Sequence, residues 1–308
     1  MNAQAAPART VRGALHGPDA DRVDDVTRRA LAADGVAPLS EQAVLAIREP
    51  GTVHVLTEHG YANLVVPPAG GAPAIELVVD PDHRGRGEGG ALLDAALEAG
   101  GQGRGDDRPQ VWAHGDLPAA AALAHSRGLS RVRELLQLRR SLTAGGGTPL
   151  PPAPQRDDVV IRTYAGPADD AEILRVNNAA FDWHPEQGGW DRAQIDERTT
   201  ADWFDPAGLF LAFAADDPST LLGFHWTKVH DPADDHSGPI GEVYIVGVDP
   251  AAQGRGLGGL LTSAGLAYLD ARGLPEVQLY VEGDNDAALA TYRRLGFERY
   301  AVDAAYRR

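Results

Sequence analysis

The sequence predicts an α/β chain built as two tandem domains. Three observations predict it. A long segment occurs twice, a Gly/Pro-rich stretch lies between the copies, and each copy alternates β-branched runs with helically spaced apolar residues.

The repeat comes first. Residues 75–100 read IELVVDPDHRGRGEGGALLDAALEAG, and residues 243–273 read VYIVGVDPAAQGRGLGGLLTSAGLAYLDARG. Superposing Gly87 on Gly256 gives an offset of 169 residues. Downstream, residues 111–132 match 279–300, with Gly128 on Gly296 at an offset of 168. Two blocks at nearly one offset point to duplication of a whole domain. Residues 144–154 mix glycines with prolines, lack periodicity and read as a linker. The expected domains are residues 8–143 and 158–308, joined by 144–157.

In the second copy, Ile173, Val176 and Ala180 have helical spacing and predict a helix over 168–181. Runs at 209–214, 221–229 and 242–248 read as strands. A helix is expected over 256–271, with Leu257, Leu260, Leu261 and Leu266 on its apolar side. A strand at 277–281 follows, then a helix over 287–295 closed by Gly296, which takes the left-handed conformation readily.

The chain has 308 residues, 43% of them hydrophobic, which suffices for two cores. No apolar run approaches the roughly 18–20 residues of a membrane span. Residues 1–9 lack the charged-then-apolar order of a signal peptide. A soluble, cytoplasmic protein is expected. With no cysteine, disulfides, thiolate metal sites and a cysteine nucleophile are excluded. The net charge of −16, without a basic block, opposes nucleic acid and anionic membranes. The expected partner is a small molecule and the expected state a monomer. Of the 28 basic residues all but Lys228 are Arg, which singles out Lys228. That bias suggests a GC-rich genome such as an actinobacterium's; a halophile is the alternative.

The chemistry centres on Gln253-Gly-Arg-Gly-Leu-Gly258, between a strand and a helix. Glycines let the backbone turn tightly and approach a ligand. The helix start adds unpaired N–H groups and a partial positive charge, a cradle for pyrophosphate. The first copy has the same arrangement at Arg84-Gly-Arg-Gly-Glu-Gly89. A dinucleotide-binding turn competes, because both stretches also satisfy G-x-G-x-x-G and Glu282 lies downstream. Against it, Asp249–Gln253 intervenes between strand and glycines, and the motif sits in mid-domain. A plain glycine-rich turn is the remaining reading.

Gln/Arg-x-x-Gly-x-Gly after a strand ending in V-D-P resembles the acyl-CoA pyrophosphate loop of the GNAT superfamily of N-acyltransferases. The run NDAALATYRRLGF at 285–297 is similar to that superfamily's closing segment. The resemblance covers both halves. It implies α+β domains, each a mixed twisted sheet flanked by helices, using acetyl-CoA and no metal. More narrowly, PLSEQ (38–42), FDWHPEQGGW (181–190), GFHWTKVH (223–230), GEVYIVGVDP (241–250) and LYVEGDN (279–285) resemble the mycothiol synthases. Those tandem GNAT enzymes acetylate the cysteinyl amine of a cysteinyl-glucosaminyl-inositol. The residues by themselves reach only acyl transfer to an amine. Another amine acceptor, or a non-catalytic acyl-CoA sensor, stays open at this point.

The resemblance implies roles for particular residues. Glu242 would be the base, acting through water, and Tyr292 the acid that protonates the coenzyme sulfur. The backbone of Val246, Gly247 and Val248 would pair with pantetheine. Gly254, Arg255, Gly256, Leu257, Gly258 and Gly259 would hold the pyrophosphate. Asn285, Asp286, Ala287, Ala288, Leu289 and Ala290 would line the rest of the coenzyme site. Weaker matches in the first domain are Leu77, Val78 and Val79 with Gly85, Arg86, Gly87, Glu88, Gly89 and Gly90. Glu41, Glu186, Lys228, Glu242 and Tyr280 match acceptor contacts. Since Glu41 lies in the first domain, the acceptor would span the interface. His184 reads as structural, with no second metal ligand at helical spacing. At the catalytic positions the first copy has Pro73 for Glu242, Ala124 for Tyr292 and Leu117 for Asn285. Only the second domain is therefore expected to catalyse.

Overall fold

The computed structural model describes residues 7–66, 72–101, 108–151, 156–182, 188–230 and 238–308. Glu186, His184 and residues 152–155 of the expected linker lie outside the described residues. The chain divides into two compact units. One comprises Met1–Leu135 with Val302–Arg308, the other Leu136–Ala301.

The first unit contains strands β1 (Arg9–Arg12), β2 (Val53–Leu56), β3 (Gly60–Val65), β4 (Ala74–Val79) and β5 (Gln110–Ala113). They lie in that order, and β12 (Glu298–Arg307) follows β5. β1 to β4 are antiparallel, β4 runs parallel to β5, and β12 antiparallel to β5. Helices α1 (Pro18–Asp34) and α2 (Glu41–Ala46) cover one face of the sheet, against Leu56, Tyr61 and Val78. Helix α3 (Glu88–Gly100) and helix α4 (Pro118–Ser126) cover the other, against Val55, Ala62, Leu64 and Ile75. Side chains alternate between the two cores along each strand, as the two-residue period of a strand requires.

The second unit repeats the plan. Strand β6 (Ser130–Ser141) supplies residues 136–141 beside β11 (Glu276–Glu282). Then come β10 (Ile240–Val248), β9 (Leu221–His230), β8 (Leu209–Ala214) and β7 (Val159–Thr163). Leu209, Leu211, Phe213, Phe224 and Trp226 face α5 (Asp170–Ala180) and α6 (Arg192–Thr199). Ala212 and Leu222 face α7 (Leu257–Ala271). Helix α8 (Asp286–Arg294) follows β11. It ends at Gly296, whose φ of 81° is the left-handed conformation expected there. Trp226 is fully buried and is among the largest side chains of this core.

The predicted elements of the second half are present within one or two residues at each end, and the mixed sheet flanked by helices is the expected α+β class. The compact units differ from the sequence boundary in two places. Residues 136–143 group with the second half, and 302–308 with the first. For 302–308 the reason is strand pairing: Ala304, Ala305 and Tyr306 form the ladder that β5 needs on its free edge.

Candidate active site

The glycine turn of the second unit is built from the strand end outward. Asp249 accepts a hydrogen bond from the Ala251 N–H at 2.8 Å and starts a tight turn over Pro250–Ala252. Gly254 and Gly256 both have φ near 76°, where a side chain would be strained, and open space surrounds their Cβ positions. Gly256 is the N-cap of α7 and contributes no side-chain cap. The first N–H groups of α7, those of Leu257, Gly258 and Gly259, therefore face outward with the positive end of the helix dipole. Arg255 is tied to Asp158 at 2.7 Å, and Arg156 donates to the Arg255 carbonyl at 2.7 Å. These contacts brace the loop from outside and leave its concave backbone for a ligand.

Beside the turn the sheet opens. The parallel ladder between β10 and β11 pairs Gly241 with Val277 and Glu242 with Gln278. β10 continues to Val248 and β11 to Glu282. On its other side β10 stays paired with β9 as far as Val248, through a bulge between Val243 and Ile245. The two parallel strands thus part after Glu242, and Val246, Gly247 and Val248 lie where they have separated. Helix α8 begins beyond β11, and its first turn is largely exposed. Asn285 caps it by accepting from the Ala288 N–H at 3.1 Å, so that side chain is engaged in the cap while Asp286, Ala287, Ala288, Leu289 and Ala290 form the helix surface.

Glu242 is 9% exposed, and its Oε2 is hydrogen bonded to the Nε2 of His230. Its register partner on β9 is Lys228. The Lys228 ammonium lies 5.1 Å from the Trp203 ring centroid and 5.8 Å from that of Tyr244, a cation held by two aromatic faces. Tyr280 projects from β11 with 46% exposure, and its hydroxyl accepts from Gln137 at 3.1 Å. Tyr292 lies half-buried on α8, edge-on to Phe297 at 5.7 Å between centroids. Burial pushes its phenol up to about 12, so it keeps its proton at neutral pH. His230 was not among the residues singled out from the sequence. Its only signal there was the spacing of Lys228 and His230 two residues apart, on one face of a strand.

The first unit has the same backbone without the same chemistry. Gly85 and Gly87 have φ of 73° and 90°, and Gly87 caps α3. Leu77, Val78 and Val79 end β4 just before the turn. Arg86 donates to the Asp82 carbonyl at 3.1 Å, and Gly89 and Gly90 lie in the first turn of α3. Glu88 turns inward: it accepts from the Thr57 hydroxyl at 2.6 Å and the His59 N–H at 3.0 Å. Arg84 donates to Asp34 through its two terminal guanidinium nitrogens, at 2.7 and 2.6 Å. Glu41 is exposed at the first position of α2. The preceding Ser40 donates to Glu76 from its backbone and its hydroxyl, at 2.6 and 2.7 Å. Ala124 occupies the place of Tyr292, and the rung Ala74–Gln110 puts Ala74 where Glu242 stands in the rung Glu242–Gln278. The bulge between Val243 and Ile245 moves the counterpart one residue from Pro73, the position expected from the sequence offset.

Among the described residues no group of three or more His, Asp or Glu side chains is placed to hold a metal, and no helix is long and apolar enough to cross a membrane.

Known proteins share both the fold and the sequence. The profile of the acetyltransferase (GNAT) family matches residues 176–297. A GCN5-related N-acetyltransferase from Sphaerobacter thermophilus superposes with a TM-score of 0.73 at 22% identity, covering 98% of this chain and 96% of that one. A tandem GNAT protein from the clavulanic acid biosynthesis pathway superposes with a TM-score of 0.64 at 20% identity, covering 97% of each chain. In sequence, the mycothiol acetyltransferase of Gordonia bronchialis is 61% identical over 98% of this chain and 96% of its own. That of Nocardia farcinica is 58% identical over 95% of both chains. Identity at that level over nearly the whole chain means that it belongs to the mycothiol acetyltransferase family, acetyl-CoA-dependent N-acetyltransferases of the GNAT superfamily.

Proposed function

We propose that the second unit transfers the acetyl group of acetyl-CoA to the cysteinyl amine of a cysteinyl-glucosaminyl-inositol, the step that completes mycothiol. Relatives named mycothiol acetyltransferase, at 50–61% identity, support the pathway. The observation that carries the catalytic assignment is the position of Glu242, a nearly buried carboxylate at the last rung before β10 and β11 part.

An amine attacks only when unprotonated. Glu242 accepts the ammonium proton, directly or through water. Bound acetyl-CoA supplies the acyl group as an activated thioester. The uncapped start of α7 and the open turn at Gly254–Gly256 suit its pyrophosphate, and the free edge of Val246–Val248 suits the amides of its pantetheine arm. The exposed first turn of α8 lines the rest. Tyr292 gives its proton to the departing sulfur. Lys228, Tyr280, Glu41 and Glu186 are the proposed contacts to the acceptor's hydroxyls. The first unit keeps a coenzyme loop but no acid or base, and would hold acetyl-CoA as a structural ligand only.

Glu242→Gln tests the core of this reading. Turnover should fall by on the order of 10²-fold or more while acetyl-CoA still binds. Near-wild-type turnover at neutral pH would overturn it. The acceptor is tested by release of free coenzyme thiol with cysteinyl-glucosaminyl-inositol, an aminoglycoside or a peptide N-terminus offered as the amine. Preference for either of the last two would overturn the substrate assignment, and no release with any would make the protein a sensor.

A further inference from the structure

The hydrogen bond between Glu242 and His230 has no counterpart in the roles assigned so far. Trp226, Lys228 and His230 alternate onto one face of β9, and their burial decreases along the strand from complete at Trp226 to partial at the other two. In register His230 lies opposite Ile240, and Lys228 opposite Glu242. The imidazole thus reaches Glu242 on the diagonal, a distance that long side chains span. The two side chains are 16% and 12% exposed. Among the described residues, charged and titratable groups lie on the neighbouring elements. Lys228 on β9 stacks over Trp203 and Tyr244. On β10, the Tyr244 hydroxyl accepts from Arg198 of α6 at 3.1 Å. On β11, Glu276 is paired with Arg139 at 3.1 Å, and Tyr280 accepts from Gln137.

We infer that His230 is a positioning residue for Glu242, an inference that rests on the proposed role of Glu242 as base. Its Nε2–H donates to Oε2, holds the carboxylate in one rotamer and leaves Oε1 for the incoming ammonium. A carboxylate has two oxygens and rotates freely when neither is held. A donor on one of them aims the other. The proton balance is simple. The ammonium proton passes to Oε1 and leaves to water after acyl transfer, while His230 keeps its own Nε2 proton throughout.

The test measures kcat and KM against pH for the full-length wild type, His230→Leu, His230→Asn, His230→Gln and Glu242→Gln. His230→Leu should lower kcat at neutral pH by about 10- to 100-fold, the scale of a lost hydrogen bond to a charged group. KM for acetyl-CoA should change by less than about twofold. Asn is too short to reach Oε2 and should behave like Leu, which covers the case of a misfolded Leu variant. Gln presents an N–H at a reach close to that of Nε2 and should recover most of the loss. If the Leu and Asn variants keep the wild-type kcat, the inference fails while the base assignment stands, provided Glu242→Gln is inactive. Equal losses in the Leu, Asn and Gln variants would make His230 a packing residue and overturn the inference. If Glu242→Gln itself retains turnover, the underlying reading of the site fails first.

Discussion

Tyr292 illustrates what a single hydroxyl can contribute. A thiolate needs a proton to leave only when its departure is costly. The coenzyme thiol has a pKa of roughly 8–9 by analogy with cysteine, so protonation helps near pH 7. Because burial raises the Tyr292 phenol to about 12, it remains a donor across the working range and contributes no alkaline limb below that value. Tyr292→Phe keeps the ring against Phe297 and removes the donor. Turnover should fall about 10- to 10³-fold at pH 7 with acceptor affinity nearly unchanged, and the defect should shrink above pH 9. Unchanged turnover in a steady-state assay at pH 7 would return Tyr292 to a packing role. At this scale the sequence was only partly legible. Glu242 and Tyr292 stood out through the family resemblance, and the sequence offset set Pro73 and Ala124 against them. His230 did not, because its contact depends on cross-strand register and on the bulge at Val243–Ile245, neither of which a linear pattern displays.

The element that defines the site is the strand–turn–helix unit, present twice. In each copy two glycines have positive φ, at Gly85 and Gly87 and at Gly254 and Gly256. The turn was readable from sequence because only glycine takes that conformation without strain. Gly87→Glu places a strained, charged residue at the mouth of the first turn. It should abolish coenzyme binding there and leave kcat at saturating substrates within about threefold of wild type. Calorimetric titration with acetyl-CoA, beside the turnover assay, checks both parts. A folded variant with no activity would show that the two turns do not divide their labour. Strands β8 to β11 and helix α7 were legible through their periodicity. Helix α6 was not expected, because apart from Ile195 it buries little that would mark a face. The capping box of Asp191 and Gln194 was its sequence signature.

At the scale of the whole molecule, the duplication is plain in sequence, but the assignment of residues 302–308 is not. The Gly115 N–H donates to the Asp303 carboxylate at 2.9 Å across a separation of 188 residues, and no local pattern encodes such a partner. The same carboxylate lies 3.3 Å from His114, which is also 3.1 Å from Glu76. Burial opposes the charge on His114, yet Asp303 and Glu76 overcome it and raise the imidazole to about 10. A raised histidine stabilises the fold fully below its ordinary value of about 6.5 and loses that contribution as pH climbs toward 10. The first unit should therefore lose stability between about pH 6.5 and 10. His114→Gln should be less stable at pH 6 and should decline less over that window. Denaturant unfolding at several pH values measures this, and a slope equal to that of wild type would refute it.

The placement of β12 also has a consequence for synthesis. A ribosome delivers residues 7–135 early, yet the strand that pairs with β5 comes from 302–308. Until those last residues emerge, β5 has an unpaired edge, and His114 lacks one of its two carboxylates. The first unit to be translated is thus among the last to be finished, its closing contacts waiting on translation of the entire second unit. Long-range closure of this kind slows folding and prolongs exposure of a sticky edge.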